Sequence, residues 1–360
     1  MSVAISTVGG LHRYSIDGTR RWVAGMNDAT TRPVVTAWSD HLGLSLQYLP
    51  GAPGFIRRAA EQGTRERGRR RLAEIGGPKG VAELFGATGA NCVKMRLDRE
   101  VNEVLPRLLA IPVALENHDA LELLGLEAPE WRALLEAELE ARIAQCAGAT
   151  IIGAQWGNEP LWKWARSGGE EKQDDLIALF MEVSSWWREH MKRRLPGIPT
   201  MSPGHAGSVA RWYPRLWAVA TAQPWDVFCV HNYGRWTASE LNGIGAGLGR
   251  PILVGEWTKM CPLPKWQNAT QMAMRVPKDG ASYPTAEDQA DRADWVEAHL
   301  RDLARQPWVL GECWHSMWDH RGRKWGMNPI DITPDREWID ALGRGRRGAQ
   351  RFALGGATNG

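Results

Sequence analysis

Apolar runs of strand length alternate along this chain with stretches of helical periodicity. Arg21-Trp22-Val23-Ala24-Gly25-Met26-Asn27, Asn91–Arg96, Ile111–His118, 149–159, 199–205, Trp225–Tyr233, Pro251–Trp257 and Val309–Ser316 read as strands. Each is followed by a segment that can form a helix. Pro129–Ala147 has Leu134, Leu135, Leu139 and Ile143 at helical spacing, and Asp174–Leu195 is a long helix that Pro196 ends. Further helices are predicted near 100–109, 208–220, 237–247, 285–306 and 335–342. Eight strand–helix units in sequence predict parallel strands joined by crossover helices. In 360 residues that pattern favours an α/β (β/α)8 TIM barrel over an open doubly wound sheet. No G-x-G-x-x-G follows the first strand and no phosphate-loop motif occurs.

The expected organisation is a single catalytic domain over 1–343. An N-terminal β-hairpin over 3–23 carries an Asp17-Gly18 turn signal, a long insertion at 28–79 follows the first strand, and 344–360 form a Gly- and Arg-rich tail. The Arg-rich run at 65–71 reads either as a solvated helix face or as a rim that attracts an acidic partner.

Polar residues end the apolar runs. They are Asn27, Arg96, His118, Asn158 with Glu159, His205, His231 with Tyr233, Glu256 and Trp314. In a barrel all strand carboxyl ends share one face, where catalytic groups collect. Pro160 stops the fourth strand at Gly157-Asn158-Glu159 by removing a donor and biasing Glu159 away from the helical region. Pro251-Ile252-Leu253-Val254-Gly255-Glu256-Trp257 repeats the design: an apolar run that finishes on a glutamate beside a tryptophan. Two carboxylates across one cleft are what glycoside hydrolysis requires.

Composition narrows the rest. The net charge of +3 is too small to imply nucleic-acid binding, and no run of 18 apolar residues predicts a membrane span. Five cysteines without a C-x-x-C pair read as reduced core residues. No metal-ligand spacing stands out, and no cofactor is expected. The N-terminus lacks a basic segment followed by an apolar block, so a cytoplasmic or leaderless location is expected; a secreted protein with its leader already removed would read the same. Twenty Trp against 5 Tyr and 5 Phe is the unusual figure. Indole rings fill cores and also stack on sugar faces. Trp38, Trp162, Trp164, Trp236, Trp257, Trp266 and Trp325 fall in loops on the expected active face.

Asn158-Glu159-Pro160 and Gly255-Glu256, with Arg96, His118 and the His231-Asn232-Tyr233 pattern, resemble glycoside hydrolase clan A, most of all family 5, the cellulase and mannanase family. Glu116-Asn117-His118 departs from the Asp-x-His common in that family. The resemblance implies a retaining double displacement without a cofactor. Glu159 would be the acid/base and Glu256 the nucleophile. Asn158 would bind the sugar 2-hydroxyl, and Arg96 and Tyr233 would hold Glu256 ionised. His118 and His231 would line the reacting subsite, Trp314 would form its floor, and Trp162 and Trp257 would add stacking surface. Trp156 and Trp162 around Glu159 would favour its protonated form. The expected partner is a β-linked polysaccharide or oligosaccharide, attacked within the chain, with no nucleic acid and no membrane. The rivals are an exo-acting glycosidase of the same clan and a non-catalytic carbohydrate-binding barrel. A metal-dependent amidohydrolase would need a His-x-His after the first strand, which is absent.

Overall fold

The computed structural model describes residues 4–5, 14–15, 23–27, 92–94, 109–115, 123–146, 149–162, 165, 173–232, 235–257, 298–303 and 305–314. The expected insertion at 28–79, the last helix and the tail lie outside the described residues. At the N-terminus β1 (Ala4–Ile5) pairs antiparallel with β2 (Tyr14–Ser15). The Asp17-Gly18 turn signal lies outside the described residues.

Among the described residues, parallel strands make up the rest of the β structure. β3 (Val23–Asn27) pairs with β4 (Cys92–Lys94), β4 with β5 (Leu109–Ile111), and β5 with β7 (Thr150–Ile151). On its other side β3 pairs with β12 (Val309–Trp314), which leads through β11 (Ile252–Trp257) and β10 (Phe228–Asn232) to β9 (His205–Ala206). A separate parallel pair joins β6 (Val113–Leu115) to β8 (Gln155–Gly157).

Two runs that read as continuous strands are each broken in the middle, and the breaks face each other. Pro112 has no N–H to donate, so it divides β5 from β6, and its carbonyl accepts from Gln155 N at 2.9 Å. Opposite it, Gly153 interrupts β7 and β8. A Cβ there would lie 2.3 Å from Met201 Sδ, so the missing side chain makes room for the methionine.

The helices start and stop where backbone chemistry dictates. α1 (Ala128–Gln145) has Pro129 in its first turn, and Glu127 N donates to Glu130 Oε2 at 2.9 Å. α2 (Gln173–Arg194) ends before Pro196 and Gly197, which takes φ 81°. The helix expected over 208–220 is two: α3 (Gly207–Trp212) and α4 (Pro214–Ala222), divided because Pro214 cannot donate to the preceding turn. α5 (Ala238–Leu248) is capped by Thr237 with Glu240 three residues on, and Gly249 closes it at φ 63°.

Alternate strand residues feed two apolar layers. Ala110, Phe228, Val230, Ile252, Val254 and Val309 face the helices and meet Phe180, Trp187 and Leu241. Cys92, Ile111, Met201, Cys229, Leu253 and Cys313 share a second cluster on the opposite face. Trp131, Trp156 and Trp187 are fully buried, which answers for part of the tryptophan excess by packing alone. The ion pairs between α1 and α2, Arg132–Glu182 and Arg194–Glu140, are exposed and contribute about 0–1 kcal/mol each. Among the described residues no helix is long and apolar enough to cross a membrane.

Helix α5 offers an internal test of this packing. A Cβ on Gly245 would lie 2.6 Å from Trp308 Cβ and 3.1 Å from the Arg250 carbonyl, whereas Gly243 and Gly247 face open space. Gly245→Ala should destabilise the protein by about 1–3 kcal/mol. Gly243→Ala and Gly247→Ala should each stabilise it by about 0.4–1 kcal/mol. Urea unfolding of the three variants checks the contrast.

Candidate active site

The carboxyl ends of β4, β8, β10 and β11 place Lys94, Asn158, Glu159, His231 and Glu256 in one cluster. β8 runs out at Gly157, and the chain then turns sharply. Glu159 adopts φ 54°, a left-handed conformation that costs a residue with a Cβ about 1–3 kcal/mol. The Pro160 ring leaves Glu159 little choice of regular structure, and its N–H is held by the Gly204 carbonyl at 3.0 Å. Asn158 also forms a parallel bridge with Gly204, so β8 and β9 meet at the site itself.

Glu256 is 2% exposed and is gripped from three sides. Asn158 Nδ2 donates to its Oε1 at 3.1 Å, Lys94 Nζ lies 3.8 Å from the same oxygen, and His231 Nδ1 lies 3.4 Å from Oε2. Lys94, itself 4% exposed, donates to Asn158 Oδ1 at 3.0 Å. The Asn158 amide therefore has one orientation: oxygen to the cation, nitrogen to the carboxylate.

His231 sits between the two glutamates. Its Nε2 is 3.0 Å from Lys94 Nζ, and its Nδ1 is 2.6 Å from Glu159 Oε1. An ammonium group has no lone pair to accept with, so Nε2 must be the acceptor and the ring proton belongs on Nδ1. Burial pushes the imidazole below its ordinary range and Lys94 adds to this, while Glu256 and Glu159 pull the other way. The result is a neutral ring that donates to Glu159. Gly204 makes room for it, since a Cβ there would lie 2.1 Å from His231 Nε2. Glu159, Glu256 and His231 present ligating atoms within 4.8 Å of one another, a donor set a divalent cation could use. The proton on Nδ1 and the Lys94 ammonium both oppose a cation there.

The other expected site residues fall as follows. Trp162 lies three positions after Glu159 and meets Tyr213 edge-on at 5.9 Å between ring centroids. Arg96, His118, Tyr233 and the side chains of Trp257 and Trp314 lie outside the described residues. Trp156 faces the helices and packs on Phe180 at 5.8 Å, so its ring is not beside the Glu159 carboxyl. His205 does not join the cluster either. It pairs in register with Val230 on the helix-covered face and stacks on Phe228 at 5.1 Å. Glu312, a third buried glutamate, pairs with Val254 on that same face and meets His299 Nε2 at 3.1 Å. Lys94 is the residue the sequence reading passed over. Its signal was a cation set between the apolar Val93 and Met95 in a strand, which must find partners if it is buried.

No protein-family model matches the chain, and no curated protein does. Solved structures do. The chain is similar to PfGH50B at 11% identity and TM-score 0.53, covering 77% of this chain and 49% of that one. It is similar to the agarase AgWH50C at 14% identity and TM-score 0.51, covering 76% and 48%. The chain shares the fold of these two proteins. A Bacteroides uniformis β-glucuronidase also matches, at 15% identity and TM-score 0.45, over 66% of this chain and 27% of that one. The chain thus spans between 27% and 49% of the length of these three proteins. This fold brings the β8 and β11 glutamates together from strands that are distant in sequence.

Two expectations follow from the histidines. Burial pushes His205 down to about 3, with His231 adding to the shift, and neither ring nitrogen has a hydrogen-bond partner among the described residues. Its folded value lies below the unfolded value near 6.5, so only the unfolded chain gains a proton in between. Stability should be flat for this group above about pH 6.5 and fall by up to about 1.4 kcal/mol per pH unit below it, down to about pH 3. Urea unfolding of His205→Phe should show a shallower acid loss than the parent. For His231, nitrogen-15 NMR should show a protonated Nδ1 and an unprotonated Nε2, with His231→Asn identifying the signals. Lys94→Met should abolish that strict tautomer preference.

Proposed function

We propose that this protein is a retaining glycoside hydrolase that cleaves β-linked polysaccharide or oligosaccharide within the chain, on a (β/α)8 barrel formed by residues 1–343. The carrying observation is the meeting of Glu159 and Glu256, from the ends of β8 and β11, with carboxylate oxygens within 4.8 Å. Such closeness suits a pair about 5–5.5 Å apart in which one group attacks the sugar directly; an inverting pair stands about 6.5–9.5 Å apart to admit a water. The Asn158–Gly204 bridge supports the barrel reading, because it links the two ends of the parallel strand series.

In this reading Glu256 is the nucleophile. Asn158 and Lys94 stabilise its negative charge before the reaction, as a preorganised site requires. Its oxygen bonds to the anomeric carbon while the bond from that carbon to the leaving oxygen breaks. Glu159, 11% exposed where Glu256 is 2% exposed, gives its proton to the leaving oxygen. Its Oε1 already accepts from His231, so the transferable proton belongs on Oε2. As Glu159 becomes a carboxylate, the His231 N–H bond to it strengthens, which stabilises the charge where it develops. Glu159 then takes a proton from water, the water oxygen bonds to the anomeric carbon, and Glu256 is released. Asn158 meets the sugar 2-hydroxyl, and Arg96, His118, Tyr233, Trp257, Trp314 and Trp162 complete the subsites, as the resemblance to clan A implies.

A reducing-end screen over β-linked glycans identifies a substrate, and size analysis of the products tests attack within the chain. A 2-deoxy-2-fluoro glycoside of the same sugar should then add one glycosyl mass to the peptide carrying Glu256. Glu159→Gln should lower kcat by about 10²–10⁴. Full turnover by Glu256→Ala would remove the assignment.

A further inference from the structure

Beside the glutamates, the segment after β9 and the segment after β10 form one cationic and aromatic rim. The path from the site to this rim is continuous. Gly204 lies against His231 and holds the Glu159 backbone, and three residues later Gly207 lies against Arg235 and Trp236. A Cβ on Gly207 would come within 2.7 Å of Arg235 Cδ and 3.1 Å of the Trp236 ring. From the other direction, Trp162 contacts Tyr213, the neighbour of Trp212.

Arg235 is held in place by a buried group. Asn232, fully buried at the end of β10, accepts from Arg235 N and Trp236 N at 2.9 Å each and donates to the Trp236 carbonyl at 2.9 Å. Three hydrogen bonds from one side chain fix the loop that presents the guanidinium. The Arg235 guanidinium lies over Trp236 at 5.6 Å, and Trp236 packs on Trp217 at 6.0 Å. On α3, Arg211 lies over Trp212 at 4.6 Å, and Trp212 is 60% exposed, more than any other large apolar side chain among the described residues.

Gly207 lies against Arg235, and Arg211 is four residues further along the same helix, one turn on, so the two guanidinium groups belong to one rim. Burial lowers Arg235 first and Arg211 adds to the lowering, with Glu240 pulling the other way. Glu240 is already committed to the cap of α5, where its Oε2 accepts from Thr237 N at 2.7 Å and Thr237 Oγ1 at 2.9 Å. Arg215, the next cation along, is paired with Asp174. Among the described residues no carboxylate forms an ion pair with Arg211 or Arg235. Like charges side by side repel unless an anion comes between them. A guanidinium fork matches the oxygens of a carboxylate or a sulfate, and an open indole face matches a sugar ring.

We propose that Arg211 and Arg235, with Trp212, form a subsite for an anionic sugar residue, a uronate or a sulfate ester, at the rim of the Glu159–Glu256 site. The proposal rests on the glycosidase reading for the identity of its ligand as a glycan. It makes the preferred substrate a polyanionic β-glycan.

The test uses matched probes in the full chain carrying Glu256→Gln, which allows binding without turnover. The first pair is a β-1,4-linked oligoglucuronate and its carboxyl-reduced neutral form. The second is a sulfated β-galactan oligosaccharide and its desulfated form. Tryptophan fluorescence titration at low and high salt gives the affinities. The expected result is that a charged probe binds at least about tenfold tighter than its neutral partner, that salt weakens this preference, and that Arg211→Gln with Arg235→Gln abolishes it while leaving neutral binding unchanged. Arg211→Lys with Arg235→Lys should restore part of it. Which pair shows the effect tells carboxylate from sulfate. Equal affinity for charged and neutral probes in both pairs, or a preference that survives the double glutamine variant, overturns the subsite. Hydrolysis of neutral glycans by the wild-type chain alongside equal affinities would leave the glycosidase reading standing without it. Arginine-dependent binding of a charged probe by a wild-type chain that cleaves no glycan would support the subsite and remove the hydrolase assignment.

Discussion

A single buried cation organises the centre of this protein. Lys94 is taken out of water at the end of β4, and that desolvation is costly unless its donors are used. It spends them on the Asn158 amide oxygen and the His231 Nε2, with the Glu256 carboxylate beyond at 3.8 Å. Each contact then fixes something further along. The amide can only turn its nitrogen to Glu256, and the imidazole can only turn its proton to Glu159. One ammonium group thereby sets the orientation of two neighbours and distinguishes the two glutamates. Glu256 lies on the cation's side, and Glu159 lies beyond the histidine, where among the described residues the His231 N–H meets its carboxylate.

The backbone is arranged to permit this convergence. Glu159 stands in a left-handed conformation that its side chain disfavours, and the strain is held by the Gly204 carbonyl. Gly204 has no side chain to collide with His231, and Gly255 lets Lys94 pass, since a Cβ there would lie 3.1 Å from Nζ. The strand breaks at Pro112 and Gly153 are of the same kind, with backbone regularity given up where a carbonyl or a neighbouring side chain needs the space. The surface salt bridges carry little by comparison, because each is screened by water.

The same end of the molecule holds the cationic rim after β9 and β10. Asn232 links the two regions. It is the residue after His231, it is fully buried, and its side chain pins the loop that carries Arg235 and Trp236. One strand end therefore serves the centre through one residue and the rim through the next, which is possible because successive strand residues point to opposite faces.

The alternation of apolar and polar runs was enough to read parallel strands with crossover helices, and helix ends at Pro196 and Gly249 follow from local backbone chemistry. The placement of Glu159 and Glu256 at strand ends was legible because each interrupts an apolar run beside a residue that ends a strand. Other features were not. His205 looked like one more polar strand end, yet a register set by pairing with Val230 turns it to the helices. Trp156 looked like a neighbour of the Glu159 carboxyl and instead packs on Phe180. Lys94 sat in plain view, but its worth depends on three partners 64, 137 and 162 positions away in the chain, and no local pattern can encode which of them it will meet. The sequence by itself determined which segments are strands and which carboxylates end them, because those follow from neighbours along the chain. Only the tertiary structure decided which face each side chain takes and which charges share a site, because strand register and close approach are settled by packing between segments that are remote in sequence.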